Sequence, residues 1–177
     1  MQIFKKRGVA ITAAVIVMII AALFGVHRSV GSAAKKVEKM FYDGVYLRDE
    51  GYRQASIGSQ LDQRTGAAMT LWSIASNYSE LADEAENLRA SRASLIDADS
   101  ISDKYGANRA LEAAVQALAS KLDSAPLDER DRAEADNCLY TMASAQGLIE
   151  ASGYNDEVAN FTAVTMNAFP VKYLKAL

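Results

Sequence analysis

Nineteen consecutive residues, Gly8 to Val26, carry no charge, and Thr12 is their only polar side chain. At about 1.5 Å per residue a helix of that length reaches roughly 28 Å, close to the ~30 Å hydrocarbon thickness of a bilayer. Lys5, Lys6 and Arg7 precede the run, and Arg28, Lys35, Lys36 and Lys39 follow it. The pattern predicts a short basic N-terminus and a single-pass transmembrane anchor over residues 1–30. Residues 31–177 are then one domain tied to the bilayer.

A cleaved signal peptide fits less well. Its apolar region is usually about 7–15 residues long, and the candidate small-residue site, Ser32-Ala33-Ala34, lies beyond Arg28. The cation counts on the two flanks are nearly even. The first group is tight against the run, and a domain of this size translocates largely regardless of its charge. The amino terminus is therefore expected inside the cell membrane and the domain outside it.

Charge divides along the chain. Residues 1–40 hold seven Lys/Arg and one Asp/Glu, whereas residues 41–177 hold twelve and twenty-one. The basic flank suits anionic headgroups, and the acidic remainder repels a nucleic-acid backbone, so nucleic acid is excluded as a partner class.

With two prolines and ten glycines, and segments rich in Ala, Leu, Glu, Asp, Lys and Arg, the composition favours helix. No stretch alternates β-branched residues over strand length. The apolar spacing predicts helix from Ser32 to Phe41, continuing the anchor. A bend or helix start is expected between Gly44 and Gly51. One long helix then follows from Tyr52 to about Ser94, its buried stripe running Ile57, Leu61, Thr65, Ala68, Trp72, Ala75, Tyr78, Ala82 and Ala85. Gly58 and Gly66 mark possible kinks or close approaches on it. Ile96–Gly106 reads as a connection, and helix resumes near Ala107 with Leu111, Val115, Leu118 and Leu122 on one face. Ser124-Ala125-Pro126 stops it, and Pro126 is expected in the first turn of the next helix with Asp128, Glu129 and Asp131 at its positive end. The last helix carries Cys138, Met142, Ala145 and Ile149, then Tyr154, Val158, Phe161, Thr165 and Ala168, and Pro170 ends it. The fold class expected is all-α: an N-terminal transmembrane helix followed by an antiparallel bundle of long helices.

No residue set earns a catalytic, cofactor-binding or metal-ligating assignment. The only histidine, His27, sits at the edge of the apolar run, which removes Ser/His and Cys/His systems from the domain. Cys138 is the only cysteine and reads as a small buried side chain. Asp97, Asp99 and Asp103 invite a calcium loop, but Ile101, Ser102 and Asn108 fall where that loop needs a ligand, a glycine and an acid. Asn77-Tyr78-Ser79 and Asn160-Phe161-Thr162 match the glycosylation sequon, and both are placed within expected helices.

Tyr154-Asn155-Asp156-Glu157-Val158-Ala159-Asn160-Phe161, followed by Phe169-Pro170, resembles the ending of LemA-family proteins. Leu47-Arg48 and Gln60-Leu61-Asp62-Gln63-Arg64 are similar to that family's Leu-Arg and Gln-Leu-x-x-Arg. The likeness runs from about residue 40 to 170. Thr162 stands where the family's second Asn falls, as in a divergent member. The resemblance implies a bacterial single-pass membrane protein with a long-helix bundle and no established enzymatic activity. Some relatives are associated with membrane organisation, including magnetosome formation.

The function expected is a non-enzymatic interaction or membrane-organisation module of the bacterial envelope, without cofactors. Its partners would be the lipid bilayer and another protein or a second copy of itself. The alternative is an extracytoplasmic ligand-sensing bundle acting through a partner. In either case the aromatics Tyr154 and Phe161, with Phe169, are expected to pack against the helix that carries Trp72.

Overall fold

The computed structural model describes residues 7–44, 46–47 and 51–166. They fall into two compact units: Tyr42–Ser152, and the flanking segments Met1–Phe41 with Gly153–Leu177. The sequence boundary at residue 30 follows the end of the apolar run, whereas the first unit to close by packing begins at Tyr42.

In the flanking unit, helix α1 spans Arg7–Asp43, 37 residues, so the helix does run on past the apolar stretch. Among the described residues no helix is long and apolar enough to cross a membrane. The backbone of Gly8–Val26 lies within α1, while most of its side chains, like that of His27, lie outside the described residues. Near the end of α1, Phe41 is 4% exposed and meets Tyr154 edge-on, with ring centroids 5.7 Å apart. Such an aromatic pair contributes about 0.5–1.5 kcal/mol beyond its burial. Tyr154 opens α6, Tyr154–Asn160, which continues as a wider turn over Phe161–Met166. Ala168, Phe169 and Pro170 lie outside the described residues.

In the other unit, α1 stops at Gly44, whose φ of +74° only glycine adopts freely. A Cβ there would strike the Gln54 carbonyl oxygen. The bend expected between Gly44 and Gly51 is a small hairpin: β1, Tyr46–Leu47, pairs antiparallel with β2, Tyr52–Arg53, in register Tyr46↔Arg53 and Leu47↔Tyr52.

Four helices follow. Ser56 caps α2, Ile57–Ala75, by accepting the Ser59 N–H at 3.0 Å. The long helix expected over Tyr52–Ser94 starts later and is broken in the middle. Ser76 Oγ donates to the Ser73 carbonyl, the N–H groups of Asn77 and Tyr78 tighten onto Ile74 and Ala75, and Tyr78 turns extended. Ser and Asn compete for backbone partners in this way at helix ends. The Tyr78 hydroxyl then donates to Asp131 Oδ2 at 2.8 Å and accepts the Asp128 N–H at 3.2 Å, pinning the turn to the start of a later helix. A 3₁₀ turn, Ser79–Leu81, leads into α3, Ala82–Ile96, which folds back along α2. Asn77 is therefore an exposed turn residue, not a helical one.

Helix α4, Ile101–Leu122, begins at Ile101 rather than Ala107. Ser100 is its cap, accepting the Asp103 N–H at 3.0 Å while its hydroxyl donates to Asp103 Oδ2 at 2.6 Å. The cluster of polar residues read as a loop is thus mostly a first turn. Helix α5, Glu129–Glu150, is capped by Asp128, which accepts the Asp131 N–H at 2.7 Å. Pro126 lies ahead of this cap instead of inside the first turn. Arg132 Nη2 donates to the Ala125 carbonyl at 3.0 Å and secures the connection. The last helix does not run through, because Gly153 (φ +67°) separates α5 from α6.

The four helices run up, down, up and down, in place of the three expected. Helix α2 packs on α3 and α5, and α3 on α4, whereas α4 and α5 approach each other only sparsely. Ala68, Leu71, Leu81, Leu88, Leu111, Leu118 and Met142 form the driest part of the core. Of the expected α2–α3 stripe, Ile57, Leu61, Ala68, Ala75 and Ala85 are buried, Thr65, Trp72 and Tyr78 are half-buried, and Ala82 is exposed. Helix α2 passes unbroken through Gly58 and Gly66.

Two glycines give opposite expectations. Gly44→Ala combines a left-handed φ with a backbone clash and should lower stability by about 1–3 kcal/mol. Gly66→Ala lies in an exposed helix interior with nothing within 4 Å of the added methyl, and should raise it by about 0.4–1 kcal/mol. Chemical denaturation of the full chain followed by helical circular dichroism reads both.

Candidate functional site

The polar groups inside the four-helix unit gather where α4 and α5 stand apart. Arg64, on α2 between Leu61 and Ala68, is fully buried at 0% exposure. Its Nη2 donates to Glu112 Oε2 on α4 at 2.6 Å, and its Nη1 donates to the Met142 carbonyl on α5 at 3.0 Å. One side chain therefore joins three helices. Gln116, one turn further along α4, donates to the other Glu112 oxygen at 2.9 Å.

Burial pushes the Glu112 carboxyl up, but the hydrogen bonds from Arg64 and Gln116 and the Arg64 charge outweigh it. The group is held below its ordinary value of 4.5. Its side chain remains 35% exposed, so the ion pair has one face in water and its attraction is partly screened.

A second polar layer lies one turn away. Arg64→Glu112 couples α2 and α4, which run parallel, and one turn toward their amino ends lie Gln60 and Asn108. On the antiparallel α5 the same step leads from Met142 to Gln146. Asn108 Nδ2 donates to Gln146 Oε1 at 3.0 Å, and Gln146 Nε2 donates to Glu150 Oε1 at 2.7 Å. Because a carboxylate only accepts, Glu150 fixes which way Gln146 points, and Gln146 fixes Asn108 in turn. Gln60 and Asn108 are 2% and 7% exposed.

The hydrophobic pattern assigned Arg64, Gln60 and Asn108 to no role, since polar side chains are by default solvated. The available signal was register: Arg64 is three residues after Leu61 and four before Ala68, squarely on the buried stripe. Chemically the cluster is a tie between helices, with the guanidinium closed onto its own protein.

The other candidates stay apart from it. Cys138 is buried in α5, where burial, with the nearby Glu134 charge, pushes its thiol up and away from the nucleophilic thiolate. Asp103 is engaged in the Ser100 cap, and among the described residues no group of three or more His, Cys, Asp or Glu is placed to hold a metal ion. In the carboxy-terminal motif Tyr154 takes Phe41 as its ring partner, Phe161 is half-buried, and Trp72 belongs to the other unit. Comparison with protein-family models, curated proteins and solved structures finds no match for this chain.

Removing Glu112 strands a buried charge. Glu112→Ala should cost about 2–3 kcal/mol, the low end for a broken buried pair because Glu112 is partly in water. Arg64→Met combined with Glu112→Leu should stand nearer the wild type, since the charge leaves with its partner. The wild type should also gain stability from the Glu112 pair above pH 4.5 and lose it as pH falls through the depressed folded value. Glu112→Gln should lack that part of the acid dependence. Denaturation midpoints from pH 7 to 3 measure each of these.

Proposed function

We propose that this chain is a membrane-anchored, non-enzymatic helical-bundle protein of the bacterial envelope, a divergent relative of the LemA family. Its bundle lies outside the cell membrane and docks another protein or a second copy.

The observation that carries the anchor is the uncharged run Gly8–Val26 inside one continuous helix that extends to Asp43. Val17 and Met18, in the middle of that run, are 64% and 63% exposed, as side chains facing lipid would be. Support for docking comes from the bundle surface, where Tyr140 on α5 is 74% exposed and Leu148, two turns on along the same face, is 45% exposed. Aromatic side chains are the commonest anchors of protein interfaces. The family relation rests on the sequence likeness at Gln60–Arg64 and Tyr154–Phe161.

Placing a photoreactive phenylalanine at Tyr140 in the full chain tests the reading in native membranes. The expected result is a discrete crosslinked adduct at near-native expression, absent when the same probe stands at the exposed Ala90 of α3. Recovery of the uncrosslinked chain alone from both positions contradicts docking through this face. Release of the chain from membranes by alkaline carbonate contradicts the anchor.

A further inference from the structure

Three polar atoms in the two layers described above make no hydrogen bond among the described residues: Arg64 Nε, Gln60 Oε1 and Asn108 Oδ1. All three belong to side chains at least nine-tenths buried. Gln60 and Arg64 are one turn apart on α2, and Asn108 and Glu112 are one turn apart on α4, so Arg64–Glu112 contact brings Gln60 and Asn108 to the same level. The buried atoms left without a partner there are one donor nitrogen, Arg64 Nε, and two acceptor oxygens.

We propose that the bundle holds one ordered water between Gln60, Arg64 and Asn108. Water donates twice, to Gln60 Oε1 and Asn108 Oδ1, and accepts once from Arg64 Nε, which matches the roughly three bonds of a typical buried water. The alternatives fail on chemistry. An ammonium ion cannot accept from Arg64, and chloride cannot donate to either amide oxygen. The Asn108 amide cannot turn round to change this demand, because Gln146 and Glu150 hold its orientation. Leu111 and Met142, at 0% and 1% exposure, close the surrounding core.

With the water on Nε, each of the three guanidinium nitrogens has a partner: Glu112 and Met142 at the two Nη groups and the water at Nε. It also links α2 to α4 a second time, one turn below the ion pair, at the level where Asn108 joins α4 to α5.

A crystal structure of the full chain in detergent, at a resolution that shows ordered waters, tests this directly. The expected result is a single peak within roughly 2.6–3.2 Å of all three atoms. Gln60 Oε1 bonded directly to Arg64 Nε, with no peak between them, overturns it. Stability gives an independent readout through Gln60→Met, Asn108→Leu and the double variant. If the water bridges the pair, Gln60→Met lowers the unfolding midpoint. The two changes are then less than additive, with a coupling of at least about twofold in the unfolding constant. A raised midpoint for Gln60→Met, as when an unsatisfied buried acceptor is removed, together with additive effects, overturns it as well.

Discussion

A guanidinium with no exposure to water has to be neutralised and hydrogen-bonded by its own protein, and that requirement at Arg64 organises the four-helix unit. Buried Leu and Ala side chains make up most of the packing of α2 on α3 and α5, and of α3 on α4. The remaining contact, between α4 and α5, is sparse, and there polar side chains span the distance. Arg64 reaches it from α2, grips the Glu112 carboxylate on one side and the Met142 carbonyl on the other, and so sets the height of α4 relative to α5. Apolar packing tolerates sliding by a fraction of a turn, whereas a bonded fork does not. The second layer of Gln60, Asn108 and Gln146 repeats the constraint one turn away.

The ends of the helices follow the same division between local and distant causes. Ser56, Ser100 and Asp128 each cap the helix that follows, which is local chemistry. The turn between α2 and α3 is different. No proline or glycine stands at Ser76–Tyr78, and the break is stabilised by the Tyr78 hydroxyl on Asp131 and on the Asp128 N–H, fifty residues away in the chain.

That difference explains how much was legible beforehand. The all-helical class, the stop at Ser124-Ala125-Pro126, the acids at the start of α5 and the buried faces at Leu111, Val115, Leu118 and Leu122 all follow from spacing and local propensity. Composition puts the start of α4 at Ala107 because Asp97, Asp99, Ser100, Ser102 and Asp103 resemble a loop, while Ser100 with Asp103 is equally a cap. Spacing carries one helix over Tyr52–Ser94 because it does not see the break, which joins local bonding at Ser76 and Asn77 to a tertiary bond from Tyr78. Of the polar seam only the register is legible, which places Arg64 on the buried stripe; its chemistry requires Glu112, which α4 brings opposite it.

Arg64 ties α4 to α5, and hydrogen exchange on the full chain measures this most directly. In the wild type, the backbone amides around Leu111–Leu118 and Cys138–Ala145 should exchange together, as parts of one cooperative unit. In Arg64→Met the α4 amides, left with the packing of α4 on α3, should exchange faster than those of α5, which keeps its more extensive packing on α2. Equal protection of both helices in the variant, unchanged from the wild type, would contradict the claim that Arg64 ties them.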